Sequence, residues 1–281
     1  MKKAALILSV VLLMASLPFS ASAAYYNGFI YSETQEGTVA IEALDYSIAS
    51  GDIVVPEEID GKKVTFIGKD AFSYKQFITS VTLPATVTEI AEEAFYMCVG
   101  LKKVVIPDGV SVIGERCFAL CEALEEITIP CSVQQLGGEM FADCKGLKTA
   151  YIYSTDGKIG ADFFRGCDSL ESIYISKGIN TVFSSAIDEC PALADIYCQG
   201  SEADISFGGK KLEKPGVTVH YEYDYEGFPK TAEQAAEKEN GKDPVNPLPF
   251  ILVAAVVLIL IGVAVVTVKR KRKKSRINKQ V

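Results

Sequence analysis

The chain has 281 residues, 49% of them hydrophobic, with eight cysteines, one histidine, no tryptophan and a formal net charge of −8 at pH 7. Eight Lys and Arg lie in residues 269–281; without these and Lys2 and Lys3, 18 Lys and Arg face 36 Asp and Glu. A body that acidic repels phosphate backbones, which argues against nucleic acid as a partner and leaves basic proteins or neutral glycans.

Residues 1–23 open with Lys2 and Lys3, run apolar from Ala4 to Phe19 and finish on Ala21, Ser22 and Ala23, the small-x-small pattern of a cleaved signal peptide. Residues 24–63 are expected to form an N-terminal cap. A repeat follows over residues 64–201, with a closing cap over residues 202–226. Residues 227–249 hold Pro229, Pro244, Pro247 and Pro249 among charged residues and read as a disordered stalk. Residues 250–268 are uncharged and long enough, at about 1.5 Å rise per residue, to cross the hydrocarbon layer as a transmembrane helix. The basic tail of residues 269–281 marks its side of that span as cytoplasmic. The expected arrangement is therefore a single-pass cell-membrane protein whose N-terminal domain is extracellular. Leu248-Pro249-Phe250-Ile251 lacks the threonine and glycine of a cell-wall sorting signal.

The repeat has a period of 23 residues, plainest at Phe72, Phe95, Phe118, Phe141 and Phe164, with Ile187 on the next beat. The same spacing relates Ile67, Ile90, Ile113, Leu136, Ile159 and Val182, and gives six copies. Around Leu101, Val104 and Ile106 the apolar positions alternate as in a short strand, which Pro107 ends because proline brings no ladder donor. Gly68, Gly114, Gly137 and Gly160 are expected to mark a recurring turn. One coil cannot repay the entropy of ordering its own backbone, so the copies must stack, about 4.8 Å apart, into a solenoid with a parallel sheet.

The run from Cys98 through Leu101, Val104, Ile106, Pro107, Ile113, Gly114 and Phe118 to Cys121 resembles the BspA-type leucine-rich repeat of bacterial surface proteins. Asp52 to Pro56 and Ile59-Asp60-Gly61 resemble the hairpin cap that precedes such repeats. The resemblance implies a mainly β, curved leucine-rich-repeat solenoid with short parallel strands and irregular turns, a surface location, and adhesion to proteins or cells in some members. The pattern drifts late in the chain: Tyr153, Ser176 and Gln199 stand where proline did, Asp156 where valine did, and Ile187 where phenylalanine did.

Cys98, Cys121, Cys144, Cys167 and Cys190 share the period, so they form a column in which parallel Cβ vectors oppose disulfide geometry. A buried ladder of reduced thiols is expected. Only Cys117 with Cys121 approaches metal-ligand spacing, so no metal site is expected. His220 reads as a cap residue. No catalytic motif occurs, and neither an enzyme nor a cofactor is expected.

The outward strand position reads Thr82, Val105, Thr128, Tyr151, Tyr174 and Tyr197 along the stack. With Tyr153, the residues Tyr151, Tyr174 and Tyr197 form a candidate ligand-binding strip, because flat rings stack on sugars or anchor protein interfaces. Tyrosine also simply favours strands, and both readings stand at this point. The functional expectation is non-enzymatic surface recognition or adhesion with a protein or glycan ligand. The alternative is an envelope structural or assembly protein that binds a partner in its own cell.

Overall fold

The computed structural model describes residues 23–46, 51–208 and 214–223. The expected signal peptide, stalk, membrane span and basic tail lie outside these residues, apart from Ala23. Among the described residues no helix is long and apolar enough to cross a membrane.

The chain winds as a mainly β solenoid in which each coil supplies a strand to two walls. One wall begins as an antiparallel meander of Ala24–Tyr26, Phe29–Glu33 and Val39–Leu44. The strands Lys62–Ile67, Glu89–Ile90, Val112–Ile113 and Gln135–Leu136 continue it in parallel. The other wall starts with Asp52–Val54, Ser80–Thr82 and Lys103–Val105. It resumes as a five-stranded parallel sheet of Glu126–Ile129, Thr149–Ile152, Ser172–Ile175, Asp195–Cys198 and Thr218–His220.

The period places like on like. Phe95 and Phe118 stack with centroids 5.2 Å apart and planes 4° from parallel. Phe72 packs on Phe95 at 4.9 Å, Phe118 on Phe141 at 5.6 Å and Phe141 on Phe164 at 5.7 Å. All five rings are fully buried, with Ile187 beside them in the short 3₁₀ turn Ser184–Ile187. Each coil thus covers the apolar face of its neighbour, which is the burial that a lone coil lacks.

The late drift has local causes. Proline at residues 84, 107 and 130 brings no N–H, whereas Tyr153, Ser176 and Gln199 donate theirs to Ile129, Ile152 and Ile175 carbonyls at 2.9, 3.0 and 3.0 Å. Each replacement therefore adds one ladder bond. Losing valine at Asp156 does the reverse: its Oδ2 accepts the Leu136 N–H at 3.0 Å, taking the place of a strand at that rung. The wall breaks there and restarts as Lys158–Ile159, Thr181–Val182 and Ser206–Phe207.

The glycines stand at the recurring turn: turn residues follow Gly68, Gly114, Gly137 and Gly160 directly, and the Ala71 N–H donates to the Gly68 carbonyl at 3.2 Å. None of Gly68, Gly114, Gly137 and Gly160 has a positive φ. A Cβ on Gly114 would lie 2.2 Å from the Glu92 nitrogen and one on Gly137 2.2 Å from the Glu115 nitrogen, so there glycine permits close approach of coils. Left-handed positions recur two residues before each ring of the phenylalanine column, at Asp70, Glu93, Arg116, Glu139 and Asp162, with φ of 59°, 56°, 54°, 49° and 56°, and again two residues after it, at Tyr74, Met97, Leu120, Asp143 and Gly166. This conformation helps aim the N–H groups of Glu93, Phe95 and Met97 at Glu115, Cys117 and Ala119 carbonyls of the next coil, at 2.9, 2.9 and 3.0 Å.

All eight cysteines are free thiols. In the column each Sγ donates to a phenylalanine carbonyl of the previous coil: Cys98 to Phe72 at 3.0 Å, Cys121 to Phe95 at 3.2 Å, and Cys144, Cys167 and Cys190 to Phe118, Phe141 and Phe164 at 3.1 Å. Lysines flank this ladder. Lys75 occupies the slot 23 residues before Cys98, buried, with Nζ 3.1 Å from the Tyr46 ring centroid. At the other end Lys214 Nζ donates to the carbonyls of Ile187 and Cys190.

Candidate binding face

The outward column of the five-stranded sheet is built by register. Thr128 pairs with Tyr151, Tyr151 with Tyr174, Tyr174 with Tyr197, and Tyr197 with His220. Side chains on one sheet face lie directly over one another, so the rings stack. Tyr151 and Tyr174 are 4.8 Å apart at 14°, Tyr174 and Tyr197 4.6 Å at 7°, and Tyr197 and His220 4.5 Å at 12°. Tyr223 closes the end, its centroid 4.6 Å from that of Tyr197.

The expected strip is assembled, but not all of it is open. Tyr151 and Tyr153 are each only 5% exposed, and Thr128 is 8% exposed. Outward orientation does not guarantee accessibility: the ring of Tyr151 lies between Thr128 and Tyr174, with that of Tyr153 6.4 Å away. Burial accordingly pushes the Tyr174 hydroxyl up to about 12 and that of Tyr153 higher still, while Tyr197 is raised by burial and by Asp195. The accessible part is Tyr174, Tyr197, His220 and Tyr223, all half-buried.

His220 was readable as a rung, since it stands 23 residues after Tyr197. Its Nε2 lies 2.7 Å from Asp195 Oδ1, which fixes the ring plane against Tyr197.

Beside this end lies a pocket of about 560 Å³, lined by Lys177, Gln199, Ser201, Asp204, Glu222 and Tyr223 along with the backbone of Gly200. The Ser201 hydroxyl and N–H both donate to Asp204 Oδ2, at 2.7 and 3.0 Å. Those bonds hold the Asp204 carboxyl below its ordinary range, with a smaller contribution from Lys177. Among the described residues no group of three or more His, Cys, Asp or Glu converges as a metal site.

The model of the BspA-type leucine-rich repeat region matches residues 62–205 in six copies. The chain belongs to that family. As a BspA-type protein it is similar to the leucine-rich repeat protein TpLRR of T. pallidum, with 26% identity, a TM-score of 0.56, and coverage of 62% of this chain and 81% of that one. It also shares its fold with the pneumococcal vaccine antigen PcpA, at 19% identity and TM-score 0.53, covering 67% of this chain and 51% of PcpA. A leucine-rich repeat protein of Eubacterium ventriosum gives 18% identity and TM-score 0.52 over 73% of this chain and 53% of that one. No curated protein matches the chain.

Proposed function

We propose that this BspA-type chain is a non-enzymatic recognition or adhesion protein, whose repeats present the Tyr174, Tyr197, His220 and Tyr223 end of the ring column to a protein or glycan outside the cell. The carrying observation is the ring stack itself, with centroids 4.6 and 4.5 Å apart from Tyr174 to His220. A rigid sheet that aligns half-buried aromatic rings offers flat apolar area at low entropic cost, the property of an interface anchor. The chemistry of the remaining groups supports binding over catalysis. Burial raises the pKa of seven thiols, and the single histidine is held between Asp195 and Tyr197. In this reading residues 1–23 direct export, residues 227–249 space the solenoid from the bilayer, and residues 250–268 anchor it.

The test is a protein and glycan array probed with the full chain, followed by titration of each hit with the double variant Tyr174→Ala, Tyr197→Ala. Loss of about 2 kcal/mol or more, roughly thirtyfold in affinity, is expected, with Tyr25→Ala unchanged. Equal affinity of a folded double variant for every hit contradicts the proposal. Hits confined to proteins of the cell's own envelope favour an assembly role over adhesion.

A further inference from the structure

The pocket at the end of the ring column has a composition that selects a ligand class. Two carboxylates, Asp204 and Glu222, face one ammonium, Lys177, so an anion meets net repulsion. A basic side chain would be attracted by the carboxylates, yet it would leave the donors of Lys177 and Gln199 without use and meet the like charge of Lys177. A purely apolar ligand would strip water from all of these groups. A neutral polyol uses both kinds: its hydroxyls donate to carboxylate oxygens and accept from ammonium and amide N–H groups. Tyr223 supplies an aromatic wall for the C–H face of a sugar ring, and its own ring joins the pocket to Tyr197 at 4.6 Å.

The site is also preorganised. A Cβ on Gly200 would lie 3.3 Å from Asp204 Cβ, so the loop closes tightly there. The two Ser201 donors fix Asp204 through Oδ2 alone. The volume of about 560 Å³ falls within the range of small-ligand pockets and suits one or two pyranose rings.

We propose that this pocket binds a neutral glycan through one or two of its sugar rings, with Asp204, Glu222, Lys177 and Gln199 reading hydroxyls and Tyr223 stacking on a ring face. The assignment rests on the recognition reading above and specifies its ligand.

The full-length chain is titrated with maltose, cellobiose, lactose and diacetylchitobiose, using saturation-transfer NMR and calorimetry, with a lysine-rich peptide in parallel. At least one disaccharide is expected to bind saturably, with the strongest transfer to ring C–H protons. Gln199→Ala and Glu222→Ala each weaken it about tenfold while the urea midpoint is kept, and Tyr25→Ala leaves it unchanged. The proposal is overturned if no disaccharide saturates by about 20 mM. It is equally overturned if binding survives both pocket variants, or if only the peptide binds. Should the Tyr174 and Tyr197 double variant still abolish an array hit while no sugar enters the pocket, the recognition reading stands and this assignment alone falls.

Discussion

Each thiol of the cysteine column meets a phenylalanine carbonyl of the preceding coil, so a weak donor satisfies a buried acceptor at every step. Burial raises these groups, Cys98 and Cys144 to about 12 and Cys190 to about 11. Because the thiolate is the nucleophile, a native chain treated with iodoacetamide at about pH 8 should take one label, on exposed Cys131, and eight labels in denaturant, as read by intact mass. Several labels on the native chain would contradict the ladder. The sign of the pH dependence follows from the same shifts. Below about pH 8.5 neither state ionises and the contribution is intact; above it the unfolded chain releases protons that the folded chain keeps, so stability falls as pH rises towards the folded values. Cys144→Ser should reduce that alkaline slope by up to about 1.4 kcal/mol per pH unit, measured by urea denaturation between about pH 9 and 11.

At the scale of the element, the spacing between coils is set where they come closest. Gly114→Ala puts a methyl group 2.2 Å from the backbone nitrogen of Glu92, which no rotamer change relieves, whereas Gly138→Ala meets nothing within 4 Å. Gly114→Ala should therefore cost about 2 to 4 kcal/mol and Gly138→Ala less than about 1, compared by urea midpoints. Equal midpoints would deny the close approach. The strands of the wall that holds Val104 and their inward or outward sense were legible from alternation, and the ring and thiol columns from the period, whereas two-residue strands of the other wall such as Glu89–Ile90 and Val112–Ile113 are too short to alternate. The turn at the glycines was legible too, but the close approach of coils at Gly114 and Gly137 was not, because a one-dimensional pattern does not show what lies across from a residue. Nor did alternation reveal that Tyr151 and Tyr153 are covered, since it gives the direction of a side chain and not what lies beside it. His220 was legible in principle, but its place after the drifted copies made it read as cap. Lys75 was hidden for a related reason, since a lysine in an apolar column becomes intelligible only when its neighbours are known, and Lys214 stands off the beat, 24 residues after Cys190.

The described solenoid behaves as a one-dimensional stack in which residues far apart in sequence are neighbours at fixed spacing. Inter-coil ion pairs repeat the 23-residue offset, from Lys69 to Glu92 at 3.0 Å and Arg116 to Glu93 at 2.8 Å to Lys148 with Glu125 at 3.0 Å. The two lysine pairs are exposed and screened by salt and the Arg116–Glu93 pair is half-buried, so they pin register more than they stabilise. Excising residues 121–143, one full period, should let the flanking coils rejoin in register and leave a shorter folded chain. Removing about half a period should instead bring apolar and outward positions into conflict and abolish the cooperative urea transition. Retained cooperativity in the half-period deletion would count against the stack.

The recognition face and the pocket both depend on that stacking, and a crystal structure of the chain measures it directly. Phe95 should lie over Phe118 near 5.2 Å, and the series Tyr151, Tyr174, Tyr197 and His220 should show successive separations near 4.8, 4.6 and 4.5 Å. Rings that are not neighbours, or a His220 placed away from Tyr197, would contradict it.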